Sequence, residues 1–255
     1  MRKWIIALCA LTSFSTLLTG CASWNQDKDK AELYIRMGSS LIEEGNYPGA
    51  LTALLKAKEM DPSNPLVYNE LGQVYFMRER YETAEQQFRK AVSLQKEYTD
   101  ARNNLARVLI EEGKYAEAEK EINTVLADLT YGSTDRAYVN LGLAKFNQKQ
   151  YPQAEDAFFK VLKIKPDDCV ASDYYGRSIF EQKDYGRAVE ALDRAIGFCQ
   201  KNLFDEPHFY SALAYYRLGD KSKSAARFSE IIKYYPEGKY REKAKGMLDL
   251  IRKGN

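Results

Sequence analysis

Residues 65–98 read PLVYNELGQVYFMRERYETAEQQFRKAVSLQKEY, and residues 99–132, TDARNNLARVLIEEGKYAEAEKEINTVLADLTYG, repeat the pattern in register. Laid over each other, they set Gly72 on Ala106, Tyr81 on Tyr115 and Ala84 on Ala118. The same tyrosine recurs at Tyr47, Tyr81, Tyr115, Tyr151 and Tyr185, with spacings of 34, 34, 36 and 34. Small residues keep step with it: Gly38, Gly72, Ala106, Gly142 and Gly176 on one helical stretch, Ala50, Ala84, Ala118, Ala154 and Ala188 on the next. Large apolar residues such as Tyr138, Leu141, Phe158 and Val161 fill the gaps at helical spacing. These are packing positions, because a recurring small residue marks a close approach of two helices. Pro62, Pro166 and Pro236 follow the second stretch, where a residue that cannot continue a helix ends it.

A 34-residue period is the signature of the tetratricopeptide repeat, an antiparallel helix pair that buries its apolar face only by stacking on its neighbours. The expected fold is all-α: a right-handed superhelical solenoid of about six tetratricopeptide repeats over residues 31–238, with a capping helix and tail over 239–255. In register the repeats run 31–64, 65–98, 99–132, 135–168, 169–202 and 205–238. The sixth is degenerate. Gly219 stands where Gly45 and Gly113 do, Phe228 and Ile231 hold the second-helix core, and Ser224 replaces the usual alanine. Beyond it Tyr240, Ala244, Met247, Leu248 and Ile251 share one helical face, as a terminal cap requires. Two-residue insertions near 130–134 and 201–204 predict either a kink or a longer loop.

The amino terminus is different in kind. Arg2 and Lys3 precede an apolar run from Trp4 to Leu11, and small and apolar residues lead to Leu18-Thr19-Gly20-Cys21. A basic start, a short apolar core and small residues before a cut describe a secretory signal over 1–20, too short to remain as a membrane span. The last four residues resemble the lipobox of bacterial lipoproteins, which implies cleavage before Cys21 and lipid on that cysteine. Residues 21–30, polar apart from Trp24, then read as a lipidated tether. Each buried methylene contributes about 0.8 kcal/mol, so two or more acyl chains hold a protein on a membrane almost permanently. In the same resemblance, Ala22 and Ser23 after the cysteine, in place of Asp, favour the outer membrane over retention at the inner one.

The chain carries 38 basic and 36 acidic side chains, and two of the basic ones leave with the signal. No concentrated basic face stands out, so nucleic acid is not an expected partner. His208 is the single histidine, and no phosphate loop, nucleophile elbow or metal-ligand spacing is present. We therefore expect a binding protein, with no catalytic residue, no cofactor, no metal and no small-molecule substrate; His208 itself reads as packing or surface. Of the four cysteines, Cys9 falls in the signal, and Cys169 and Cys199 stand at opposite ends of the fifth hairpin, where antiparallel helices meet. An exported chain could bridge them, and two buried thiols are the alternative.

A lipobox followed by six such repeats resembles the type IV pilus biogenesis and stability lipoproteins, the PilF/PilW family of secretin pilotins. The resemblance is carried by Asn103-Asn104-Leu105-Ala106, Glu112-Gly113-Lys114-Tyr115, Tyr131, Arg136 and Asn140-Leu141-Gly142. Many members carry a cysteine in each of the third and fourth repeats; Ile110 and Leu143 stand at about those places here. The resemblance implies a lipid-anchored, periplasm-facing outer-membrane protein that binds subunits of the pilus secretin and promotes their multimerisation. A partner would meet the groove-facing positions of the first helices, Ile35, Ile42, Leu66, Asn69, Gln73, Phe76, Met77, Asn103 and Arg107, with Phe146 and Arg177 further along. Packing between repeats is the competing role at each. A scaffold subunit of the outer-membrane protein assembly machine is the alternative within this class, although its repeats are longer and less regular. An adaptor for a periplasmic peptidase or peptidoglycan hydrolase is the alternative outside it.

Overall fold

The structure is a computed structural model that describes residues 27–199 and 204–253. Every regular element among them is helical: α1 (27–43), α2 (Tyr47–Met60), α3 (Pro65–Met77), α4 (Tyr81–Leu94), α5 (Thr99–Glu111), α6 (Tyr115–Ala127), α7 (Thr134–Asn147), α8 (Tyr151–Ile164), α9 (Cys169–Glu181), α10 (Tyr185–Cys199), α11 (Glu206–Arg217), α12 (Lys221–Tyr234) and α13 (Arg241–Arg252). The recurrent tyrosines open α2, α4, α6, α8 and α10. Residues 27–30, expected in the tether, already belong to α1; Cys21, Trp24 and the signal lie outside the described residues.

Local chemistry sets the helix ends. Asn46, Asn64, Asp168 and Asp220 accept hydrogen bonds from the N–H groups of Gly49, Leu66, Ala171 and Lys223, at 3.1, 3.0, 2.8 and 3.0 Å, satisfying donors that the first turn leaves open. Pro48, Pro65, Pro152 and Pro207 occupy first-turn positions, where a missing N–H costs nothing. Each tight hairpin turn places one residue in the left-handed region. Gly45, Gly113 and Gly219 do so with φ of 74°, 75° and 84°, and Glu79, Lys149 and Lys183 take the same place in the other repeats at 58°, 61° and 65°.

The small residues work as the period demands. A Cβ on Gly38 or Gly176 would lie 2.6 Å from Leu54 or Leu192, and one on Gly72 or Gly142 would lie 2.5 or 2.6 Å from the ring of Phe88 or Phe158. In these four repeats the first helix is thus pressed onto a large side chain of its partner helix.

The chain divides after Glu112 into two compact units. In the first, α1, α2 and α3 close over Ile35, Leu54, Val67, Leu71 and Val74, and Tyr68 joins Ala91 and Ala101. The second runs from α6 to α13. Its fifth repeat packs Ile179 and Leu192, and its last buries Phe228 and Ile231 beneath Tyr240, Ala244 and Leu248 of the capping segment. Cys169 and Cys199 form a disulfide that ties the start of α9 to the end of α10, with Cα atoms 5.0 Å apart.

The longer connection between α6 and α7 is a turn. Asp128 accepts from the Thr130 N–H at 2.9 Å and from its hydroxyl at 2.6 Å. The second insertion falls largely on residues 200–203, outside the described residues.

The cap is tied back to the start of the last repeat. Asp205 accepts from the Tyr240 N–H at 2.8 Å, Glu206 pairs with Lys239 at 2.7 Å, and the Tyr240 ring stacks on Phe209 at 4.4 Å. His208 is a buried member of this knot, with Nε2 3.1 Å from the Tyr235 hydroxyl and Nδ1 3.2 Å from Glu230; burial holds its pKa below the usual histidine value.

Candidate functional site

In the first unit the groove side of α1, α3 and α5 carries a continuous set of polar contacts. Glu70, pushed above the usual carboxylate range by burial, accepts from the Ser39 hydroxyl at 3.2 Å, the Asn69 amide at 3.2 Å and the Gln73 amide at 3.0 Å. Asn104 donates to the Asn69 side-chain carbonyl at 2.9 Å, which carries the set from α3 to α5. Beyond it lies an apolar end. The Phe76 ring meets Tyr81 at 5.5 Å, the Arg107 guanidinium carbon sits 5.9 Å from its centroid, and Arg107 pairs with Glu111 at 2.8 Å. Met77 there is 53% exposed, and Leu66, 38% exposed, stands at the opposite, amino-terminal end of α3; both are large apolar side chains left in water.

This geometry sorts the expected partner-binding residues. Leu66, Gln73, Phe76, Met77, Ile42 and Arg107 keep accessible surface. Ile35 does not: it is 2% exposed and packs in the core with Leu54 and Val67. Asn69 and Asn103, at 3% and 2%, are buried as well, and Asn69 is held between Glu70 and Asn104. These three are corrected from contact residues to framework. A groove-facing register sets the direction of a side chain, and the neighbouring repeat decides whether it is covered.

The second unit has its own constellation, of which sequence reasoning had named only Phe146 and Arg177. Arg177 donates to Asp173 at 3.1 Å, and its guanidinium carbon lies 5.0, 4.5 and 4.6 Å from the ring centroids of Phe146, Tyr174 and Tyr210. An arginine enclosed on this scale by aromatic faces is held by cation–π attraction and dispersion. Asp173 is fully buried, one of its oxygens has no hydrogen-bond partner, and burial raises its pKa to about 7 against the downward pull of Arg177. Arg177 is therefore committed to the interior rather than offered to a partner. Ile110 and Leu143 are buried apolar residues. Among the described residues no group of three or more His, Cys, Asp or Glu could hold a metal ion, and no helix is long and apolar enough to cross a membrane.

Stacked helix pairs with these turns and a groove of mixed polar and apolar character define a tetratricopeptide-repeat protein. Models of that repeat match residues 38–78, 75–130, 135–168 and 208–238. The chain is homologous to the type IV pilus assembly protein PilF of Pseudomonas aeruginosa, to which it is 26% identical over 185 residues, 69% of this chain and 73% of PilF. The solved structure of P. aeruginosa PilF superposes with a TM-score of 0.74 at 21% identity, covering 87% of this chain and 99% of that one. PilW, described as a widely conserved type IV pilus biogenesis factor, gives 0.76 at 19% identity, over 82% and 95%, and so shares the fold. A match to human protein O-mannosyl-transferase TMTC1, 32% identical over 168 residues, spans only 18% of that protein and reflects the repeat alone.

Proposed function

We propose that this chain acts in type IV pilus biogenesis as a non-enzymatic protein-binding repeat, lipid-anchored through Cys21 on the periplasmic side of the outer membrane. There it binds secretin subunits and promotes their localisation and multimerisation. The observation that carries the reading is the similarity to PilF along 73% of that protein's length. The first unit's groove supports it. Gln73, Phe76 and Arg107 keep accessible surface and Met77 is exposed above a framework fixed by its own hydrogen bonds, which suits a protein segment with an apolar anchor.

The test is a clean deletion in a strain without a second pilotin, followed by complementation. Deletion leaves secretin subunits made but poorly assembled into detergent-resistant multimers, with piliation and twitching reduced. Met77→Asp in the complementing copy reproduces the defect with its helical circular dichroism intact; it is the cleaner probe because Phe76 also packs on Tyr81. Normal multimers and normal pili after deletion would refute the reading and bring forward the assembly-machine scaffold or the hydrolase adaptor.

A further inference from the structure

The second unit has another feature, away from the Asp173–Arg177 cluster. Between α8 and α10, floored by α9, lies a cleft of ≈ 330 Å³ lined by Phe159, Leu162, Lys163, Tyr175, Arg194 and Phe198, among others. Phe159 and Phe198 are 44% and 41% exposed, although a second helix usually turns polar side chains outward. In the repeat register the positions matching Phe159 are the polar Arg89, Asn123, Asp193 and Ser229 and the apolar Leu55 of the first repeat, so Phe159 alone among them is aromatic. Its ring lies over Tyr175, with centroids 6.1 Å apart and planes at 27°, so the aromatic wall is ordered.

The rim is cationic and unneutralised. Lys163 Nζ rests 4.6 Å from the Phe159 centroid, and Arg194 Nε donates to the Glu190 carbonyl at 3.3 Å. Neither has a carboxylate within ion-pair distance among the described residues, whereas nearby Lys160 is paired with Asp156 at 2.8 Å. No Asp or Glu lines the cleft. The volume stands at the low end of the range for ligand sites, about 300–1,000 Å³, which suits one or two side chains rather than a folded element. The disulfide sits next to Phe198 and fixes the end of α10 against the start of α9, so two of the three helices around the cleft are covalently tied.

We propose that this cleft is a second docking site, taking a protein segment in which one aromatic side chain is flanked by carboxylates. The ring fills the space between Phe159, Leu162 and Phe198. The carboxylates pair with Lys163 and Arg194, which give up no existing ion pair to receive them.

The test uses the full chain with its disulfide intact and fluorescein-labelled peptides read by anisotropy. The first is Ser-Asp-Phe-Glu-Ser, the second Ser-Lys-Phe-Lys-Ser and the third Ser-Asp-Ala-Glu-Ser. The first binds saturably and weakens with added salt; the other two bind at least tenfold more weakly. Lys163→Glu with Arg194→Glu, both at exposed sites, weakens the first at least tenfold with circular dichroism unchanged, and Phe159→Ser does the same from the apolar side. Phosphatidylglycerol vesicles are the competing probe. The proposal is overturned if the first peptide fails to bind, if the three bind alike, if neither variant alters binding, or if the two cations control vesicle binding while the peptide is ignored.

Discussion

Gly142→Ala adds one methyl group where α7 presses on α8, and its effect can be worked from the packing. The new Cβ would lie 2.6, 2.7 and 2.8 Å from Cζ, Cε1 and Cε2 of Phe158, closer than real contacts allow. Phe158 cannot swing aside: it is fully buried and stacked on Tyr174 with centroids 5.3 Å apart. Overpacking of this kind costs about 1–3 kcal/mol. Replacing a mid-helix glycine by alanine returns about 1 kcal/mol of helix propensity, leaving a net loss of about 1 kcal/mol. Gly246→Ala in α13 supplies the reference, because a Cβ there meets nothing within 4 Å and only the propensity gain remains. The difference between the two variants therefore isolates the overpacking. Equilibrium urea unfolding followed by far-ultraviolet circular dichroism measures it, with unchanged m-values as the check that only stability moved. Shortening the opposing ring in the Gly142→Ala, Phe158→Leu double variant should show favourable coupling. Equal stability changes for Gly142→Ala and Gly246→Ala would refute the claim that this glycine exists for close packing.

The disulfide closes a loop of 30 residues, so its reduction should cost about 3–4 kcal/mol in the chain-entropy model; a nonreducing peptide map of the exported protein should show the Cys169 and Cys199 peptides linked, and two freely alkylatable thiols would contradict it. Asp173 has a folded pKa of about 7, above its ordinary 3.8, so between those values the folded chain holds a proton that the unfolded chain releases. Its contribution is thus fully present below pH 3.8 and declines as pH rises towards 7, with a slope of at most about 1.4 kcal/mol per pH unit. Arg177, Glu206 and Lys239 are the charges around it, and Asp173→Asn should flatten the pH dependence of urea midpoints; an unchanged slope would assign it to another group. Cys21→Ala should leave an uncleaved signal or a released protein, and an unmodified Cys21 in mature protein from its own membrane would overturn lipidation.

The hairpin framework was legible because a 34-residue spacing and the alternation of small and large residues are consequences of helix contact that leave a mark at every repeat. Depth was not. Ile35, Ile42 and Asn69 all read as groove positions, but Ile35 closes under Leu54 and Val67, and Asn69 is covered by its bonds to Glu70 and Asn104. The Arg177 enclosure was half legible for the same reason: Phe146 and Tyr210 come from the repeats before and after it, and no local pattern announces that three rings converge on one guanidinium. The left-handed turns at Glu79, Lys149 and Lys183 also passed unnoticed, since glycine marks only half of the equivalent sites. Aligning them on Gly45 and Gly113 would have found them.

The knot that joins Asp205 to the Tyr240 N–H, Glu206 to Lys239 and His208 to Tyr235 bears on how an array like this changes length over evolution. A repeat appended after α13 would meet a face that carries charges such as Glu242 and Lys243, and one that replaced the chain from Lys239 onward would leave the carboxylates of Asp205 and Glu206 without these partners. The knot thus makes the hairpins before it the easier place to add or remove a repeat, because a change there leaves these end contacts in place.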